Sequence, residues 1–427
     1  DDECSACAES ALSCGEAGCG EGCCGRSGCG HHTCCEDLCS RESLTNGFWG
    51  LGYDLMDCGI LTQASYTHFY QGVTTGGANQ TFRSGGKLDV MMLADTGKLG
   101  LWEGGQFQIH AVDYQVGENI NADAVGLSPS NINLLTPVPR EKYGLTTLLL
   151  MQQLTDDGWT GVVGRYNLLD LWAVFFPDYG RGLDGFMNVS AINPLNILPS
   201  VPVVSNVAGV MKMGKLGPEC GAMVMESQNS PTTVGLDFPN EVTLAAFARK
   251  YTNFGDLLGS HMVLGTYGTG DYTSFDTSGW VIVPPGGVIP ARESGTWAAI
   301  YAGEQRLWVD PCNEKRYTKV FAHAGTSSRI DSPFRFCTSV SVEAFGAMDE
   351  RPNDRMGAAW FYSNLNSPFQ NSFSLITPLG NIQGAEVYYN AQITPWFNLT
   401  FDVQVVEPAI RANDTTVVLG LRGKIAL

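Results

Sequence analysis

The chain has 427 residues, 44% of them hydrophobic and only 16% charged, with 51 glycines and a formal net charge of −18. That apolar content excludes a disordered chain, and the acidity argues against nucleic acid as a partner. No apolar run approaches the ~20 residues that a bilayer-spanning helix needs, so a helical membrane protein is excluded, and the Gly-rich, low-charge composition points to β structure.

The chain opens at Asp1 with no basic and apolar leader, so it reads as a processed, exported protein. Residues 1–45 form a Cys/Gly-rich segment with almost no large apolar residue, carrying Cys4, Cys7, Cys14, Cys19, Cys23, Cys24, Cys29, Cys34, Cys35 and Cys39. Such a segment cannot build a core and has to be cross-linked or metal-bound to fold. Disulfides are the expected state in an oxidising compartment. Zinc is the weaker alternative: Cys29, His31, His32, Cys34 and Cys35 are closely spaced soft ligands, but the spacing has no repeated CxxC unit. Exchange of disulfides between copies would make the same segment a staple for a homo-oligomer or an anchor to the cell wall.

The remainder, 46–427, reads as period-two segments separated by turn chemistry. Strands are expected at 58–70, 86–94, 104–115, 141–152, 158–168, 203–213, 219–226, 241–250, 260–268, 297–309, 316–324, 337–346, 355–363, 385–393, 396–405 and 415–427. The alternation is clearest near the end, where Val417, Leu419, Leu421 and Ile425 oppose Thr416, Arg422 and Lys424, and Phe401, Val403 and Val405 oppose Thr400, Asp402 and Gln404. A soluble sandwich would alternate in the same way. Connection lengths separate the two cases: long ones such as 116–140, 169–202 and 269–296 alternate with short ones such as 153–157 and 214–218. Tight turns at one end and long loops at the other characterise an outer-membrane barrel. All twenty prolines fall in these connections, as a ring nitrogen that cannot donate to a ladder requires. Trp159, Trp280, Trp297, Trp308, Trp360 and Trp396 lie near segment ends, where indoles favour a lipid interface.

Four runs carry a resemblance: YTHFYQGVTTGG at 66–77, GGKLDVMMLADTGKLGLWEGGQFQIHA at 85–111, RPNDRMG at 351–357 and EVYYNAQITPWFNLTFDVQVVEPA at 386–409. Over about 58–427 the chain resembles the carbohydrate-selective porin family typified by OprB. The resemblance implies an all-β, 16-stranded antiparallel transmembrane barrel in the bacterial outer membrane, surrounded by lipid and lipopolysaccharide. It further implies passive passage of small sugars, with the N-terminal segment in the periplasm. Two features depart from it: the chain ends in Leu427 rather than an aromatic, and the Cys-rich segment has no counterpart.

By parity, Leu88, Val90, Met92, Phe107, Ile109, Leu419 and Leu421 face lipid. The inward set is Lys87, Asp89, Gln108, His110, Arg165, Asn167, Glu304, Arg306, Glu343, Glu386, Asn390, Gln392, Asp402, Arg422 and Lys424, a mixed wall able to exchange hydrogen bonds with sugar hydroxyls. A bare sixteen-stranded barrel is a wide channel. The connections 169–202 and 116–140 are therefore the expected constriction, with Asp170, Asp178, Arg181, Asp184 and Asn188 as polar partners. Phe175, Phe176, Tyr179 and Phe186 there either offer an apolar face to a sugar ring or pack the loop on the wall.

Asp1, Asp2, Glu3, Glu9, Glu16, Glu21, Glu36 and Asp37 against Arg26 concentrate negative charge in the first 40 residues. The rest is placed on outer loops, where divalent cations could bind; no other cofactor is expected. Cys58, Cys220 and Cys312 are expected at the periplasmic end and Cys337 near the outer rim, too far from Cys312 to pair. There is no GxSxG, HExxH or Walker loop, and His68, His110, His261 and His323 are scattered, so no enzyme is expected.

Overall fold

In the computed structural model the described residues are 38–135, 143–227, 241–284, 286–374 and 376–427. The strands in chain order are β1 (Ile60–Thr75), β2 (Phe82–Asp95), β3 (Gly105–Gly117), β4 (Thr147–Gln153), β5 (Trp159–Asn167), β6 (Val204–Gly214), β7 (Gly217–Glu226), β8 (Val242–Phe254), β9 (Leu257–Thr273), β10 (Val281–Val283), β11 (Gly287–Ile289), β12 (Arg292–Asp310), β13 (Asn313–Ser327), β14 (Phe334–Phe345), β15 (Arg355–Leu365), β16 (Ile382–Thr394), β17 (Phe397–Glu407) and β18 (Thr416–Ala426). All except β10 and β11 form one closed barrel in which each strand pairs antiparallel with its neighbours, and β1 closes on β18 with Phe69 opposite Arg422. Closure leaves no edge, so the ladder satisfies its backbone groups internally. No helix among the described residues is long and apolar enough to cross a membrane.

Each expected strand has its counterpart in the barrel wall. The short connections 215–216, 255–256, 311–312 and 395–396 lie at one end, with Ala426, and the long ones 118–146, 168–203, 227–241, 274–291 and 366–381 at the other. In the tight turn 255–256, Gly255 (φ 57°) and Asp256 (φ 64°) both take the left-handed conformation that a two-residue hairpin of matching twist demands.

Three readings are corrected. The connection 274–291 contains a small hairpin, β10 paired with β11, which Pro284 just after β10 had obscured. Pro218 lies inside β7, opposite Met213 where the register shifts, so the irregularity accommodates the missing N–H. The first strand begins at Ile60, preceded by a helix at Leu51–Asp57 on the short-turn rim. Leu44 N–H donates to Ala426 O and the Trp396 indole to Leu38 O, which ties 38–44 to the same rim.

The two wall faces differ as alternation requires. Val163, Val263, Trp297, Trp360, Val387, Phe401 and Leu419 point outward and are exposed, as an apolar belt facing lipid would be. His68 and His261 also lie on this face, hydrogen-bonded to Tyr66 and Tyr301. The core is inside the barrel. Connection 168–203 turns inward, and its Phe175, Phe176, Tyr179, Phe186 and Ile192 pack with Phe247, Phe321, Phe361 and Tyr388 from the wall.

Candidate functional site

The inward loop begins with the helix Leu168–Phe175, started by Asn167, whose Oδ1 accepts from Leu169 N–H at 3.0 Å. Leu171, Trp172 and Phe175 are apolar positions spaced for one helix face and are buried against the wall. Tyr179 lies flat on Phe321 at a ring separation of 3.9 Å, and the Phe175 edge meets Phe247 at 4.7 Å. The four aromatics are therefore wall-packing residues, the second of the two roles their sequence left open. The wall side chains alone do not fill so wide a barrel, and burying aromatic rings is the larger gain: full burial of one such ring contributes about 1.5–3 kcal/mol.

The wall's charged and amide groups pin this loop at separate points. Asp170 accepts from Thr147 Oγ1 at 3.0 Å and faces His110 Nδ1 at 3.0 Å, while His110 Nε2 faces Asp89 at 2.8 Å. Both ring nitrogens donate only in the imidazolium form. Lys87 Nζ reaches Asp89 at 3.5 Å and the Asn133 carbonyl at 3.2 Å, which joins the second inward connection to this cluster. Glu386 accepts from Met187 N–H at 2.5 Å and Asn188 N–H at 3.0 Å. Asn188 donates to Gln404 at 3.1 Å, Asn390 to the Asp184 carbonyl at 2.9 Å, and Arg422 to the carbonyls of Gly182 and Gly185 at 2.7 and 2.9 Å. Asp402 accepts from Gln404 at 2.9 Å.

At the loop tip, Asp178 pairs with Lys319 and with Arg355 at 3.2 Å, and Arg355 also donates to Glu343 at 2.7 Å. Arg181 reaches Asp170 at 3.5 Å, and Asp184 accepts from Lys424 at 2.7 Å. Burial would raise the Asp170 and Asp178 carboxyls, but the cations facing them, His110 with Arg181 and Arg355 with Lys319, hold both below the ordinary carboxylate range. Asp184 is likewise lowered, with Lys424 and Arg422 outweighing its desolvation. Two lowered carboxyls, Asp178 and Asp184, thus stand at the tip, and Asp170 is buried in the loop's first helix, within reach of Arg181.

The inward parity holds in β2, β3 and β12–β18 but fails in β5. Arg165 pairs with Leu148 and Asn206, on the face of exposed Val163, and its Nε donates to Leu145 O at 2.8 Å. Tyr166, one residue on, is the inward one: the sequence phase was set by the polar residues, whereas Val162 and Tyr166 face an interior made apolar by the loop. Asn167 is the helix cap described above. His110, Glu343, Glu386 and Arg422 point inward but are almost fully covered by the loop, so they hold it rather than line open water, and Asn188 is the loop's own buried side of the Glu386 and Gln404 contacts. Gln108 stands at the edge of an open recess. Lys319, Arg249 and Arg355 escaped the sequence reading, although parity within their own segments would have placed all three inward.

Among the described residues, recesses lie on the short-turn side of the loop, and two of them bear on the lumen. One, about 430 Å³, lies between the helix Leu168–Phe175 and the wall from β1 to β6. There Gln63, Gln106 and Gln108 stand beside Met91, Met151 and Met211, and none of the three carboxamides is hydrogen-bonded to another described residue. The other, about 250 Å³, is bounded by Asp178, Ser260, Glu304, Arg306, Tyr317 and Lys319. Among the described residues no group of three or more His, Cys, Asp or Glu is placed to hold a metal ion. The outer-loop acids Glu118 and Asp123 pair with Arg83. Cys58 and Cys312 are exposed at the short-turn end and Cys337 is buried towards the other. No disulfide joins two of the described cysteines, and the other nine head cysteines lie outside the described residues.

Residues 79–427 match the family described as carbohydrate-selective porin, OprB family. The chain belongs to that family. Among solved structures, OprB of Pseudomonas putida at high pH superposes with a TM-score of 0.78 at 17% identity, covering 92% of this chain and all of that one. Its low-pH structure gives a TM-score of 0.55 at 15% identity, covering 91% and 99%. A loop-deleted OmpT of Vibrio cholerae gives 0.50 at 8% identity, covering 86% and 100%. No curated protein sequence matches this chain. This porin is an outer-membrane channel barrel, with a lumen narrowed by its own inward loop.

Proposed function

We propose that the barrel is a passive path for small carbohydrates and similar hydrophilic solutes, with its short-turn end and N-terminal segment towards the periplasm. The observation that carries the reading is the recess beside the helix Leu168–Phe175. Gln63, Gln106 and Gln108 offer unengaged donors and acceptors to hydroxyls, and the methionines beside them offer apolar contact to the C–H face of a ring. Such contacts are individually weak, so a solute is admitted and also released, as conduction requires. The family description, the mixed sign of the lumen charge and the exposed apolar belt support the same reading.

Liposomes carrying the protein should swell in sugars at rates that fall with solute size. The pair Gln106→Leu and Gln108→Leu should slow swelling in monosaccharides by several-fold while leaving the ionic conductance within about twofold. Sugar-independent swelling, or rates untouched by both substitutions, would remove this assignment.

A further inference from the structure

The second recess differs from the first in having a cation to spare. Three of the four basic groups at or beside it are matched by acids: Arg249 reaches Glu304 at 3.4 Å and Ser260 at 2.8 Å, Lys319 pairs with Asp178 and with Glu304 at 3.2 Å, and Arg355 is held by Glu343 and Asp178. Arg306 has no carboxylate partner among the described residues. Its guanidinium lies over the Tyr317 ring at 4.3 Å, and the far side of that ring stack is Phe345, 4.3 Å from Tyr317. None of its side-chain N–H donors is hydrogen-bonded to another described residue, so the fork that matches a carboxylate is left for a ligand.

The other walls of the recess narrow the ligand class. Glu304, Asp178 and Ser260 are acceptors for hydroxyl hydrogens, and the two carboxylates would repel a second negative charge such as that of a phosphate dianion. About 250 Å³ lies just below the range of drug-sized sites and suits a single ring. We propose that this recess is a subsite for a monoanionic monosaccharide, a hexuronate, anchored through its carboxylate by Arg306 while its hydroxyls meet Glu304 and Asp178. The proposal deepens the sugar-passage reading and rests on it.

Glucose and glucuronate share a ring and differ at one carbon, so the test compares how each reduces ion current through single channels in planar bilayers. Low ionic strength, about 0.05–0.1 M, keeps the charge interaction from being screened. In the wild type, glucuronate should reach half-block at about a tenfold lower concentration than glucose. Arg306→Gln should abolish that difference and Arg306→Lys, which keeps the charge without the fork, should retain part of it. Heat-modifiable gel mobility shows that each variant is a folded barrel. Equal half-blocking concentrations in the wild type, or a preference that survives Arg306→Gln, overturn the subsite alone. If neither sugar touches the current of the wild type, the sugar-passage reading itself fails and the subsite goes with it.

Discussion

The tether at Glu386 makes the strongest quantitative demand on the structure. Its carboxylate is fully buried and takes both the Met187 and the Asn188 backbone N–H, at 2.5 and 3.0 Å, just where the inward loop turns towards its short helix at Val189–Ile192. Glu386→Ala removes the acceptor for two buried donors, and leaving each unsatisfied costs about 1–3 kcal/mol. Docking of this stretch should therefore weaken by about 2–6 kcal/mol, or between roughly thirtyfold and twenty-thousandfold in its equilibrium at about 1.4 kcal/mol per decade. The aromatic packing around Tyr179 and Phe321 is untouched, so the barrel still folds while this stretch of the loop visits undocked states. Single-channel recordings should show higher and noisier conductance, and protease added to detergent-solubilised protein should cut within 180–200 faster than in the wild type. Glu386→Gln, which keeps one carbonyl acceptor, should fall between. A variant with wild-type conductance, noise and protease resistance would refute the assignment of Glu386 as a loop tether.

Acid should act on the same loop through its carboxylates. Asp170, Asp178 and Asp184 all titrate below the ordinary carboxylate range when docked, so they stabilise docking above about pH 4, and that contribution is lost as pH falls through their lowered values. Trp172 fluorescence should hold steady from pH 7 to 5 and change only in stronger acid. On the outer face, Val403→Lys should lower the unfolding free energy in lipid vesicles by about 2–4 kcal/mol, whereas Val403→Leu should be near neutral; a harmless lysine would mean that this face does not meet hydrocarbon. Cys337, 2% exposed, should resist a thiol reagent in the folded barrel and react on denaturation; fast labelling of the native protein would contradict the register of β14. Phe321→Ala, which deletes a fully buried ring stacked on Tyr179, should cost about 3–5 kcal/mol of stability.

The wall was legible because its signal is local. Alternation in Ala385 to Val405 and in Thr416 to Ile425 needs only neighbouring residues to be expressed, and strand pairing by short turns follows from where Gly, Pro and Asp interrupt it. The same periodicity placed Glu343, Glu386, Asn390, Asp402 and Arg422 on the inner face correctly. It went wrong at Arg165, because polarity was taken as the sign of an inward face and that part of the interior is apolar.

Alternation, together with the run of short and long connections, by itself pointed to a sixteen-stranded barrel and a long insertion able to enter it. Only the tertiary structure decided what the insertion does. Whether Tyr179 meets a solute or Phe321, and whether Arg422 lines water or holds Gly182 and Gly185, depends on partners more than a hundred residues away. Burial is a property of the closed barrel with its loop in place. No local pattern encodes it, and so the loop tethers and an Arg306 with no carboxylate partner among the described residues emerge together only once the chain has folded on itself.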